Sequence, residues 1–350
     1  MASLIFGLGY LGAALAARLL EEGHSVVGLD NGFATDWRVI ERVGTSAAPR
    51  EPGPAGSASS APFRLLRGDI REAGDVERAF TLARPVEAVY LLAAQASAHP
   101  SAAPARYTED SNLRGPRLVM EAALRHGSPP VVYGSSFHVY GPLQPGALAP
   151  PGAGQVLDEG RPYGLLRDLA HLSKVYAEKL GELFGATRGL AVAPVRLGIV
   201  YGLGPVVKHD PRFVTVPHAF CLRALAGEPL RIHPSGRHPL AFVHLDDAVQ
   251  ALRLAAPARG YAPANAAGEL ATALDVARLV QRAAWAHGHD AVVEHVDQQS
   301  LLDPGAQAGG PAGPPALPAL SSRLSGAGWA PRRSLADTVP QIFEYYATRG

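Results

Sequence analysis

A chain of 350 residues with 47% hydrophobic side chains is long enough to bury one large α/β core or two modest ones without covalent staples. Its 32 basic and 31 acidic side chains leave a net charge of +1, which gives no electrostatic case for nucleic acid or an anionic membrane and makes a small molecule the default partner. The single cysteine, Cys221, excludes an internal disulfide framework and a Cys-cluster metal site, fits a reducing cytoplasm, and reads as a small buried apolar residue.

The first apolar run, 2–7, lacks a basic flank and breaks at Gly7, so it reads as a strand and not as a secretory signal. A helix is expected over 10–22, strands over 25–30 and 63–67, a helix over 74–83 and a strand over 88–93. The pattern continues with a helix over 107–127, a strand over 130–134, a helix over 169–186 and a strand over 190–196. Alternation of this kind, with near-continuously apolar strands, argues a parallel sheet covered on both faces. Two Gly/Pro/Ala/Ser-rich segments, 44–62 and 303–318, read as mobile surface loops, and a third, 142–162, as a lid or a long insertion. No stretch of about 18 apolar residues occurs, so the chain is expected to be soluble and cytoplasmic.

Gly7, Gly9 and Gly12 frame Tyr10 and Leu11 in a Gly-x-Gly-x-x-Gly turn between the first strand and the first helix. The first glycine permits the tight turn, the second lets backbone approach a pyrophosphate, and the third lets helix pack on strand. The next apolar run ends in Asp30, followed by Asn31, where a carboxylate accepts the adenosine ribose hydroxyls and repels a 2′-phosphate. NAD is therefore favoured over NADP.

Further segments follow in order: Leu91-Leu92-Ala93-Ala94-Gln95, Asn112, Val132-Tyr133-Gly134-Ser135-Ser136, Val139-Tyr140-Gly141, Ser173-Lys174 with Ala177-Glu178, Arg196, Val200-Tyr201-Gly202, Phe242-Val243-His244-Leu245-Asp246-Asp247 and Gly328-Trp329-Ala330-Pro331. Together they resemble the extended short-chain dehydrogenase/reductases of the NAD-dependent epimerase/dehydratase family. The resemblance implies that Gly7, Gly9 and Gly12 bind phosphate, that Asp30 binds ribose, and that Asp69-Ile70 lie beside the adenine. It also implies that Ala93-Ala94 sit under the nicotinamide half, that Ser136 is the catalytic Ser/Thr, and that Lys174 is the Lys of the Tyr-x-x-x-Lys motif.

The chain departs from that pattern where the chemistry is done. Four residues before Lys174 stands Ala170, not the tyrosine that shuttles the hydroxyl proton. The Arg-Asp pair that precedes Phe242 in the family falls on Leu240 and Ala241, with Arg237 and His238 nearby; Ile199 replaces an Asn, and Phe6 replaces a Gly before the turn. A sugar nucleotide is thus implied by the family and partly contradicted by these positions. The tetrapeptide His171-Leu172-Ser173-Lys174 resembles the sulfoquinovose synthase branch.

Other residues carry candidate chemistry. His138, two residues after Ser136, stands where dehydratase and decarboxylase relatives carry an acid/base Glu, and reads as an acid/base group or as a structural loop histidine. Tyr163 either folds over the nicotinamide in place of the missing phenol or is an ordinary loop tyrosine, whereas Tyr176 lies about 240° around the helix from position 170 and faces elsewhere. His233, His238 and His244 lack a helix-borne ligand pair, so no metal is expected. Gly134-Ser135-Ser136-Phe137-His138 lacks the second glycine of a hydrolase elbow.

The expected architecture is a doubly wound parallel Rossmann sheet, residues 1–203 and 239–262, with a smaller C-terminal substrate-binding α/β cap, residues 204–238 and 263–350. The resemblance implies a homodimer through helices 107–127 and 169–186, the second bearing the apolar stripe Leu169, Leu172, Tyr176, Leu180 and Leu183. Two functions follow. One is an NAD-dependent epimerase/dehydratase-type enzyme acting on a sugar or sugar nucleotide; the other is an NAD-binding sensor or scaffold with little redox activity, which Ala170 favours.

Overall fold

A computed structural model describes residues 1–46, 63–97, 102–141, 156–166, 168–208, 210–233, 238–296 and 319–349. The first half alternates as β1 (Ala2–Phe6), α1 (Tyr10–Glu21), β2 (Ser25–Asp30), α2 (Trp37–Ser46), β3 (Phe63–Arg67), α3 (Ala73–Leu82), β4 (Val86–Leu91), α4 (Ala105–Glu109), α5 (Gly115–Arg125) and β5 (Val131–Ser136). It continues through β6 (Val156–Leu157), α6 (Leu169–Arg188), β7 (Val192–Leu197), β8 (Ile199–Tyr201), α7 (Val216–Leu225), β9 (Leu230–Ile232), β10 (Leu240–His244) and α8 (Leu245–Ala255). The last elements are β11 (Ala264–Ala266), β12 (Glu269–Ala271), α9 (Ala273–Ala286), β13 (Val293–His295), β14 (Ala319–Leu320) and α10 (Leu335–Arg349).

Seven strands form one parallel sheet in the order β11-β7-β5-β4-β1-β2-β3. Chain order reverses between β1 and β4, and at such a switch point the loops leaving the strand ends diverge and open a crevice. Leu4, Ile5 and Phe6 have no exposed surface, because helices cover both faces of the sheet. Ala13, Leu15, Ala248 and Leu252 of α1 and α8 pack on one face, and Val76, Phe80, Val119 and Phe184 of α3, α5 and α6 on the other. A separate core of Tyr201, Phe220, Cys221, Phe242, Val280 and Phe343 joins α7, α9 and α10 to the smaller sheet β12-β10-β8.

Several elements differ from the periodicity. The 107–127 helix is interrupted by a π-turn at Asp110–Arg114, which carries Asn112 inward. Helix α2 escapes a reading based on loop composition, yet Ile40 and Val43 bury against the core and Gly44 abuts Phe63, so residues 44–46 are helical. The rest of 44–62, the segment 303–318, residues 142–155 of the insert and Arg237 lie outside the described residues. Residues 156–157 of the insert pair with β14.

The division at 262/263 falls just before β11, which completes the main sheet beside β7, while β10 leaves that sheet for β8 and β12. Ala-Asn-Ala is too short a strand for period-two alternation to announce. From the expected cap, Leu324 and Trp329 also return to the main core, where Trp329 Nε1 donates to the Asp247 carbonyl at 2.9 Å.

Candidate active site

A cleft of about 710 Å³ runs along the carboxyl ends of β1, β2, β4 and β5, and is lined by Gly7, Gly9, Tyr10, Leu11 and Gly12 at the mouth of α1. Close packing explains two of these glycines: a Cβ on Gly7 (φ +94°) would meet Ala93 N at 2.5 Å, and one on Gly12 would meet the Gly7 carbonyl oxygen at 1.9 Å. Gly9 differs, since a Cβ there would face open space, with Thr35 Oγ1 nearest at 3.8 Å. Gly9 is also the N-cap of α1 and makes no side-chain cap, which leaves first-turn N–H groups facing that space for an anion. The cradle fits a dinucleotide pyrophosphate.

At one wall Asp30 accepts from the amides of Leu8 (2.6 Å) and Gly32 (2.8 Å). Burial raises its pKa against these hydrogen bonds. Asn31, Ile70, Ala93, Ala94 and Gln95 continue the lining. Asp69 accepts from Asn31 Nδ2 at 2.9 Å and from Arg71 Nη2 at 2.7 Å, which ties it to the lining residue Asn31. Gln95 exchanges two 2.8 Å hydrogen bonds between its backbone and the Asn112 amide, whose Nδ2 also donates to Ser173 Oγ at 2.9 Å. The π-turn thereby ties the end of β4 to α6.

Ser136, His138, Ala170, His171 and Lys174 converge at the far end. Lys174 is buried, donates to the Gly134 carbonyl at 2.7 Å, and has its pKa pushed down to about 8 by burial, against the pull of Glu178. Ser136 caps the short 3-10 turn Phe137–Tyr140, so His138 returns over it with Nδ1 3.2 Å from Ser136 Oγ. Burial, then His171, pushes the His138 imidazole down to about 4 despite Asp168.

Sequence reasoning did not single out Asp168 and His171 as site residues. Asp168 caps α6 by accepting from the His171 amide at 2.8 Å, and its carboxylate also holds His171 Nδ1. Burial raises the Asp168 pKa, but these hydrogen bonds outweigh it and the carboxyl lies below its ordinary value. The His171 ring stacks on His138 with centroids 4.4 Å apart and planes 10° from parallel. Part of the signal was legible, since an Asp immediately before a helix is a preferred N-cap whose carboxylate accepts from the backbone N–H three residues on, here that of His171. Lys208 was missed too; its ammonium lies 5.0 Å from the centre of the Tyr10 ring, with its pKa pushed to about 8 by burial.

Tyr163 does not fold over this end of the cleft. Its hydroxyl donates to Glu178 Oε2 at 2.9 Å, because Glu178 is the hub of a buried cluster behind the site. Arg196 Nη2 donates to the same oxygen at 2.7 Å, and Ser135 Oγ donates to Glu178 Oε1 at 2.5 Å. Tyr176 stands on the outer side of α6, 41% exposed, as the helical angle requires.

Strand order, switch point and glycine turn together define a dinucleotide-binding Rossmann protein. The model of the NAD dependent epimerase/dehydratase family matches residues 4–265, and the chain belongs to that family, with NAD as its cofactor. It is 27% identical over 325 residues to UDP-sulfoquinovose synthase of Sulfolobus acidocaldarius, covering 81% of this chain and 79% of that one. It is likewise 27% identical over 248 residues to UDP-N-acetyl-alpha-D-glucosaminuronate decarboxylase of Bacillus cytotoxicus, covering 70% and 67%. The crystal structure of UDP-glucose 4-epimerase from Bifidobacterium longum in complex with NAD+ and UDP shares the fold, with a TM-score of 0.77 and 16% identity over 99% of this chain and 98% of that one. The chain is accordingly an enzyme of oxidoreductase or isomerase type. Among the described residues no helix is long and apolar enough to cross a membrane.

Proposed function

We propose that this enzyme carries out nicotinamide-linked redox chemistry on the sugar of a sugar nucleotide, with Ser136 binding the reacting hydroxyl and Lys174 the nicotinamide ribose. The observation that carries the reading is that Ser136 from β5 and Lys174 from α6 meet at one end of the cleft whose other end is the Gly7–Gly12 turn. Gly7, Gly9, Tyr10, Leu11 and Gly12 would hold the pyrophosphate, Asp30 and Asn31 the adenosine ribose, Ile70 the adenine, and Ala93, Ala94 and Gln95 the nicotinamide half. When bound, that cofactor supplies reversible oxidation of a carbinol. One N–H of Lys174 is committed to Gly134, which leaves two for ribose hydroxyls.

The relatives named above are named for UDP-sugars, and the separate core around Phe220, Val280 and Phe343 supports the reading of a cap that would enclose one. The exposed face of α6, with Leu172 (55%), Tyr176 and Leu183 (53%), supports a homodimer through this helix. The buried free thiol of Cys221 supports a cytoplasmic setting.

Ala170 favours a second reading, an NAD-binding sensor or scaffold. Absorbance of the NAD-loaded protein separates the two. Reduction of the nicotinamide on adding UDP-glucose or UDP-glucuronate is expected for the enzyme, and none with any UDP-sugar for the sensor.

A further inference from the structure

The family's proton-transfer tyrosine is replaced by Ala170, yet the space beside it is not vacant of acid/base chemistry. Ala170, His171, Ser136 and His138 line the same end of the cleft. The His171 side chain, 22% exposed, lines the cleft, and its carboxylate partner Asp168 is 29% exposed, so both are part-buried. With Nδ1 held by the carboxylate of Asp168, the remaining ring nitrogen, Nε2, is the one left to accept a proton. The stacked His138 ring, 4.4 Å away, has Nδ1 at Ser136 Oγ and is kept neutral by burial. Two stacked imidazolium rings repel each other, so the pair admits one proton. In a catalytic Asp-His pair the aspartate orients the imidazole and stabilises the imidazolium formed during the reaction. The tyrosine hydroxyl of Tyr163 is committed elsewhere, to Glu178.

We infer that His171, oriented by Asp168, is the acid/base group of this site and takes over the proton transfer that the missing phenol performs elsewhere in the family. The inference rests on the redox reading above. The O–H bond of a sugar carbinol placed at Ser136 breaks and its proton passes to His171 Nε2. The carbinol hydrogen leaves with its bonding pair to the oxidised nicotinamide dinucleotide, and a C=O bond forms. The sugar is oxidised, the cofactor is reduced, and the return step takes the proton back from His171. Asp168 is a positioning residue, acting through His171.

The test uses full-length protein loaded with NAD and mixed with UDP-glucose or UDP-glucuronate. His171→Gln is expected to slow reduction of the nicotinamide on the order of 10²-fold with NAD affinity, measured by calorimetry, unchanged. Asp168→Asn keeps an N-cap of equal quality, so α6 stays capped; its reduction rate is nonetheless expected to fall at least about tenfold. Free imidazole should restore part of the rate to His171→Ala. Wild-type rates in His171→Gln overturn the inference.

Nitrogen NMR of the cofactor-free protein gives a reading independent of turnover. At neutral pH His171 is expected to carry its hydrogen on Nδ1, and Asp168→Asn to abolish that preference. A hydrogen fixed on Nε2 overturns the inference, because His171 then presents no free base to the cleft. The expected tautomer with no reduction by either sugar sustains the pair and overturns the sugar-nucleotide reading instead, so the two failures are told apart.

Discussion

The two ends of the cleft are built by different means. At the cofactor end the decisive features are backbone: Gly7 and Gly12 leave no room for a Cβ, Gly9 leaves open space, and the α1 N-terminus presents its amides. All lie within six residues of one another and follow the family's spacing. At the catalytic end the decisive features are side chains from β5, the 3-10 turn after it and α6, and here a carboxylate-imidazole pair stands beside Ala170. Backbone cradles tolerate little substitution because their function is shape. A proton acceptor needs only a suitable group within reach, so its residue type and helix position are free to change.

The comparison breaks most severely if the buried scaffold behind the catalytic end is disturbed. Arg196→Met leaves Glu178, fully buried, without its cation, and is expected to cost about 3–5 kcal/mol of stability in denaturant unfolding. An unchanged midpoint would show that the cluster is not the support of this end. At the other end, Gly12→Val forces side-chain carbon against the Gly7 carbonyl and is expected to cost about 3 kcal/mol and abolish NAD binding; retention of both would refute the shape argument.

Smaller effects sharpen the contrast. His138→Phe removes a contact to Ser136 and is expected to lower turnover about tenfold, less than loss of His171, with NAD affinity intact. Equal losses for the two variants would make His138 the proton carrier. Asp30→Ala should narrow the preference for NAD over NADP about tenfold, mainly by removing repulsion of the 2′-phosphate; NADP bound as tightly as NAD by the native protein would already contradict the assignment.

A further contrast lies in pH dependence. His138 titrates near 4 in the folded chain against 6.5 in the unfolded one. Between those values the unfolded chain binds more protons, so this contribution to stability is present above pH 6.5 and is lost as pH falls toward 4. His138→Phe should flatten that part of the curve of thermal midpoint against pH.

Much of the molecule was legible in advance where the information is local. The run Leu4–Phe6, buried on both faces, and the spacing of Gly7, Gly9, Gly12 and Asp30 are properties of neighbouring residues, and the parallel sheet and NAD cradle follow from them. Ser136 and Lys174 were legible only through resemblance, because nothing in the chain's periodicity brings positions 38 residues apart together. Boundaries were least legible where the signal was short or compositional: β11 spans three residues, and α2 runs into a Gly/Ser/Ala-rich segment.

The sequence by itself determined the doubly wound fold, the cofactor turn and the absence of the tyrosine at position 170. Only the tertiary structure decided what stands in that place. Asp168 and His171 are set by one helix turn, but His138 reaches His171 from the 3-10 turn after β5, 33 residues earlier in the chain, and Tyr163 is drawn away to Glu178. Ring stacking and buried hydrogen bonds depend on distances in space, which sequence separation does not encode.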